Sequence, residues 1–187
     1  SLGLTLHLCL TEGSAISSSK SIFALVNNKN IFKNSFLKFL IASLLPENNA
    51  YKVLLKNQIK KEISAQLSKF KSLTKLSNIS IDGHQHVHLI PIILDTIIEL
   101  KSTYNITWIR TTLEPFPNKI PFKYLIDSIQ SGGFLKWMVL QILSSLAIPK
   151  IAKYSLKTNS SFAGILFTGK MIEPIINLYW QNLQAKE

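Results

Sequence analysis

A chain of 187 residues, 47% hydrophobic and 17% charged, is long enough to bury a core and too apolar to be disordered, so a single domain over 1–187 is expected. Its 21 Lys+Arg against 10 Asp+Glu give a formal net charge of +11, but Arg110 is the only arginine and the lysines are scattered, which argues against a nucleic-acid partner. The single cysteine, Cys9, rules out an intramolecular disulfide framework and a Cys-based zinc cluster, as expected of a protein in the reducing cytoplasm.

No charged and apolar lead-in of the secretory type opens the chain. It enters at once into a strand-like run, Leu4 to Leu10, ended by the polar turn Thr11-Glu12-Gly13-Ser14. The reading is therefore of a chain that has lost its natural start. Residues 14–50, rich in Ser, Asn and Lys, read as an insertion or lid, with helical spacing from Ile31 to Leu45. Lys52 to Leu76 has the mixed apolar spacing of an amphipathic helix.

Ile79 to Ile81 predicts a strand, Asp82 to His88 a polar loop, and Pro91 opens a helix to about Tyr104. Ile106 to Thr111 repeats that order, with Glu114-Pro115-Phe116-Pro117 as loop and Pro121 to Gln130 as helix. An apolar helix is expected over 134–148, a further strand over Phe162 to Phe167, and a last helix from Met171 to Gln184. This alternation predicts parallel βα units. The apolar stretch from Trp137 to Pro149 falls short of the roughly 20 residues of a spanning helix. Flanked by Lys136, Lys150, Lys153 and Lys157, it leaves room for peripheral membrane contact. Nothing here sets the oligomeric state, and a homodimer is compatible with it.

All four histidines fall in two short segments, His7 in the first strand and His84, His86 and His88 after the second. In parallel α/β folds the carboxyl ends of strands carry the site. Neutral imidazole is the commonest protein ligand of catalytic divalent metals, so this segregation points to a metal-assisted site. In an extended segment His84, His86 and His88 would share one face, stepping by about 6.5–7 Å per pair of residues. That is a long reach for one ion held at about 2.1 Å, so one or two of them are expected to bind and the others to line the pocket. A solvated or hydrogen-bonded loop without metal is the plain alternative for this run. For His7 alone, the plain alternative is a satisfied core histidine.

Three blocks resemble the YdjC/ChbG-like carbohydrate deacetylases. Leu4-Thr5-Leu6-His7-Leu8-Cys9-Leu10-Thr11-Glu12-Gly13 is similar to the family's Gly-x-His-hydrophobic-x-Leu-Thr-x-Gly segment, with Thr5 where glycine is usual. Glu62 to Phe70 resembles the helix before the second histidine motif. Asp82-Gly83-His84-Gln85-His86-Val87-His88 resembles Asp-Ser-His-x-His-Val-His, with Gly83 replacing the serine. Ile109-Arg110-Thr111 with Glu114-Pro115, and Phe162 to Met171, look like the hopanoid-associated branch.

The resemblance implies an α/β, (β/α) barrel-like fold, incomplete here, and hydrolysis of an N-acetyl group from an amino sugar, oligosaccharide or glycolipid head group. It implies a divalent metal ion, Mg2+ or Zn2+, held by one Asp and two His, carried over by motif to His7 and His84. The family's Asp-Asp pair, source of the metal carboxylate and the base, is expected upstream of Ser1, so no catalytic residue is assigned within the chain, and a late His-Pro motif is missing. Asp82, His86, His88, Arg110 and Glu114 are candidate substrate-binding or supporting residues. Asp82 would orient His84 or a neighbour, or cap the loop backbone. Arg110 would hold a substrate oxygen or pair with Glu114. Weak metal binding and poor catalysis are expected of this chain alone. The rival reading is a non-catalytic relative that binds metal or sugar without turnover.

Overall fold

The computed structural model describes residues 3–118 and 120–184. Its contacts divide the chain into two compact units: one formed by 1–110 with 147–158, the other by 111–146 with 159–187.

The first unit holds a three-stranded parallel sheet in the order β1 (Leu6–Leu8), β2 (Ile79–Gly83), β3 (Ile106–Ile109). Each strand pairs with the next one in sequence, and a parallel bridge from Trp108 to Lys157 carries the pairing one step further. The expected first strand is real but shorter than Leu4 to Leu10. Leu4 is exposed while Leu8 and Leu10 are fully buried, so only the inner half of the apolar run has a core to enter.

Helices α1 (Phe36–Leu44), α2 (Ala50–Thr74) and α3 (Pro91–Tyr104) complete this unit. The helical spacing assigned from Ile31 onward begins only at Phe36. Residues 26 and 32, and 14 and 31, form antiparallel bridges instead, and Ser35 caps α1 by accepting from the Lys38 N–H. Asn49 caps α2 by accepting from the Tyr51 and Lys52 N–H groups. The Lys52 ammonium is buried and donates to the Ser43 and Leu45 carbonyls and to Glu47, closing the α1–α2 turn. Pro91 opens α3, where its missing N–H costs nothing, and Asn105 at φ 55° ends it.

The segment that reads as an insertion is fastened to α2 by buried amide and carboxylate groups. Glu62, fully buried, accepts from the Ile16 and Ser17 N–H groups and from Gln66. Gln66 bonds both the N–H and the C=O of Cys9, and Gln58 accepts from the Ala24 N–H. Loop amides that would otherwise lie buried and unpaired are satisfied this way, which is why a helix with a wet face still carries buried Gln and Glu.

The second unit contains α4 (Phe122–Gln130), residues 133–146 of α5 (Gly133–Lys153), and α6 (Glu173–Gln184). Leu166, Phe167, Ile175 and Tyr179 form its core, with Ile120, Tyr124, Phe134 and Trp137 packed against them. The strand expected over Phe162 to Phe167 does not form. Gly164 sits at φ 121°, and the Thr168 N–H and hydroxyl turn back on Ile165. The Gly164, Ile165 and Leu166 N–H groups, which a ladder would need, all point into the Glu114 carboxylate. Leu166 also brings its carbonyl to within 2.4 Å of where a Cβ on Gly133 would stand, so only glycine starts α5 there.

Candidate functional site

Parallel register sets the first contact of the site. His7 lies opposite Asp82 across β1 and β2, and the His7 Nδ1–H donates to Asp82 Oδ2 at 3.0 Å. The same oxygen receives the Arg110 guanidinium at 3.0 Å. Arg110 follows β3 directly, its N–H bonded to the Ile81 carbonyl. A row His7–Asp82–Arg110 thus crosses the carboxyl ends of three strands, with Asp82 buried and both partners reaching solvent. Asp82 lies within β2 rather than opening a loop, and the neighbour it orients is His7. Burial alone would push the Asp82 carboxyl up. The Gly83 N–H foremost, with the charge of Arg110 and the His7 bond among the smaller contributions, holds the group below its ordinary value.

His84 to Leu89 is a 3-10 turn, not an extended run, so the three histidines do not share a face. Gln85 and His86 both take left-handed backbone, at φ 51° and 59°, a conformation costing about 1–2 kcal/mol per residue for L-amino acids. Such strain persists where surroundings enforce it and collects at functional sites. Here Gln85 is held by its amide donating to Glu12 Oε1 at 2.6 Å.

His84 stands edge-on to His7, ring centroids 5.6 Å apart and planes at 78°. Its Nε2 lies 3.1 Å from Glu12 Oε2 but finds no hydrogen-bonding geometry there. Glu12, in the turn after β1, therefore joins the candidate site, although it was not among the residues singled out for it from the sequence. Its signal was position alone: it follows a strand whose end carries a histidine.

His88 goes the other way. It is fully buried, and its Nε2–H donates to the Arg110 carbonyl at 2.8 Å, so it positions the residue that holds Asp82. Burial pushes its pKa down to about 4, against the opposing pull of the Arg110 carbonyl and Asp82. The unfolded chain takes up this proton near pH 6.5, so stability should fall as pH drops from there toward 4. The ionisable groups facing His88 are Asp82, Arg110 and His7. Urea midpoints measured over that interval should decline in the wild type and decline less in His88→Gln. A flat wild-type profile would contradict a neutral buried His88.

Glu114 belongs to the second unit, and both its oxygens are occupied. Oε1 accepts from the Gly164 N–H and the Tyr179 hydroxyl, Oε2 from the Ile165 and Leu166 N–H groups. Expected as a substrate contact or as the partner of Arg110, it instead works as a buried clamp. Its backbone is also held, the carbonyl by the Trp137 indole and the N–H by Gln141.

The residues fit the implied metal only in part. His7 and His84 are adjacent, and His84 presents a buried nitrogen without a hydrogen bond. Among the described residues, however, no three His, Cys, Asp or Glu side chains converge to hold an ion. Two imidazole donors are present, and among the described residues no carboxylate joins both to close the set.

A parallel α/β sheet with histidines, a bridging aspartate and an arginine gathered at its strand ends defines the class. A family profile described as YdjC-like protein matches residues 1–186, and the chain belongs to that family. It is 29% identical over 121 residues to a Danio rerio protein named carbohydrate deacetylase, covering 62% of this chain and 36% of that one. Proteins of the same name from Mus musculus and Xenopus laevis are 37% identical over 57 residues and 28% over 110. The matches cover 30% and 58% of this chain and 18% and 33% of theirs. The chain thus spans about a third or less of the length of these curated relatives. No solved structure matches it.

Proposed function

We propose that the protein in which this chain occurs is a metal-dependent carbohydrate deacetylase, which removes the acetyl group from an N-acetylated amino sugar, oligosaccharide or glycolipid head group. The row His7–Asp82–Arg110 beside His84 is the observation that carries the reading. Family membership and the names of the relatives support it. A divalent ion, Mg2+ or Zn2+, would polarise the amide carbonyl and activate water, with His7 and His84 among its ligands. The described residues do not complete such a site.

The chain's own residues do preparatory work. Asp82 accepts a hydrogen bond from the His7 Nδ1–H and so leaves Nε2 as the nitrogen with a lone pair to offer. Arg110 keeps Asp82 ionised, and Glu12 faces His84. A (β/α) barrel-like architecture is part of the proposal, supported by the sequential parallel order of β1, β2 and β3 and by the bridge onward to Lys157.

Zn2+ titration followed by calorimetry should show weak binding to the 187-residue chain, lost in His7→Ala and in His84→Ala. Acetate release from N-acetylated chito-oligosaccharides should be found in the gene product containing the chain and disappear in its His84→Ala variant. Sugar-induced thermal stabilisation without acetate release would sink the enzymatic reading and favour a binding protein.

A further inference from the structure

Among the described residues, α5 alone is long and apolar enough to cross a bilayer, and only 28% of its apolar window is buried. Over residues 133–146 its inner face is committed to the second unit. Leu140, Leu143 and Ser144 are buried there. Ser144 and Gln141 bond the Thr112 backbone, while Gln141 and Trp137 bond that of Glu114. Pulling the helix into a membrane would strip these bonds and expose their partners, so spanning is excluded on energetic grounds.

The outer face is also apolar. Leu135, Met138, Ile142 and Leu146 recur at intervals of three and four residues, the repeat of one helix face, and are 62%, 39%, 61% and 62% exposed. They form a stripe about 16 Å long. α5 itself carries Lys136, Lys150 and Lys153 and no acidic residue. Lys136 and Lys153 are exposed, while Lys150 is paired with Asp95. On α4, Asp127 is paired with Lys170, at 3.8 Å, and Lys123 is exposed. A second copy of a chain at +11 would bring lysines against lysines on this face. An anionic bilayer brings the opposite charge and an apolar interior together.

We infer that the outer face of α5 is a docking surface for an anionic lipid membrane, with the helix lying in the interfacial plane. This stands independently of the proposed chemistry. Apolar side chains of an interfacial helix insert by about 5–10 Å, and lysines near the surface add attraction that salt screens.

The test is co-sedimentation of the 187-residue chain with phosphatidylcholine vesicles, with and without phosphatidylserine. Binding is expected on the anionic vesicles at low salt, about tenfold weaker on neutral vesicles and at high salt. The double variant Ile142→Glu, Leu146→Glu should bind about tenfold or more weaker, with the wild-type circular dichroism spectrum, because both side chains already face solvent. Lys136→Glu with Lys153→Glu should bind more weakly still on anionic vesicles. Anionic binding untouched by the apolar double variant would overturn the inference, since charge alone would then suffice. So would the absence of vesicle binding, whether the chain stayed monomeric or formed a dimer in sedimentation velocity that Ile142→Glu dissolved. The dimer would assign the face to a second copy.

Discussion

Glu114→Ala should unfold the second unit while leaving the sheet of the first in place. The carboxylate is 1% exposed and accepts from three consecutive backbone N–H groups and a phenol, at 2.6, 2.9, 3.0 and 2.5 Å. Alanine removes both acceptor oxygens and leaves four donors without the partner that satisfies them. Removing one member of a buried, hydrogen-bonded charge network costs about 3–5 kcal/mol, a large share of the stability of a small domain. Burial and the bond to Glu114 push the Tyr179 pKa up, so the phenol remains a donor throughout the usable pH range. Glu114→Gln keeps the volume but turns an NH2 group toward N–H donors, and should recover little. Hydrogen exchange decides the matter residue by residue. Protection should vanish at Ile165, Leu166 and α6 and persist in β2 and α3. Uniform loss over the whole chain, or none, would contradict a clamp confined to the second unit.

How much of this was legible beforehand depended on whether local pattern or distant partners decided the outcome. Helices α2 and α3 are bounded by an Asn cap, a proline at the first turn and left-handed terminal residues, all local signals, and they lie close to where periodicity placed them. The segregation of histidines to two short segments brings His7 and His84 together at neighbouring strand ends, and the register pairing His7 with Asp82 follows once β1 and β2 are known to be parallel neighbours. The fate of the individual histidines was not local. His88 is inside because Arg110, 22 residues on, offers it a carbonyl, and two consecutive left-handed residues, Gln85 and His86, break the run between it and His84. Residues 162–167 alternate well enough for a strand, but a carboxylate 50 residues earlier in the chain captures their N–H groups. Charged residues are read as surface by default. That default hid Glu114 and Glu62, each of which is buried to serve backbone amides.

The exchange of serine for glycine at position 83, seen against the family motif, explains itself through His88 and leads to the second large effect. A Cβ on Gly83 would lie 2.3 Å from His88 Nδ1, 2.9 Å from Cγ and 3.0 Å from Cβ. These are core atoms of a fully buried ring, anchored at its far side to Arg110, and they have nowhere to retreat. Nδ1 itself has no hydrogen-bond partner, as fits a ring edge pressed against bare backbone. Gly83→Ser and Gly83→Ala should therefore each destabilise the chain by about 1–3 kcal/mol, the usual cost of overpacking a filled core. Serine should not be rescued by bonding to Nδ1, because its Cβ already occupies that space. The damage should reach the site as well: moving His88 releases the Arg110 carbonyl and with it the guanidinium that holds Asp82 toward His7. A double-mutant cycle with His88→Ala separates the two effects. In that background the added side chain meets a void, so Gly83→Ser should cost less than in the wild type. Additive costs in the cycle would mean that position 83 fails for backbone reasons and that the close approach of His88 is not what requires glycine there.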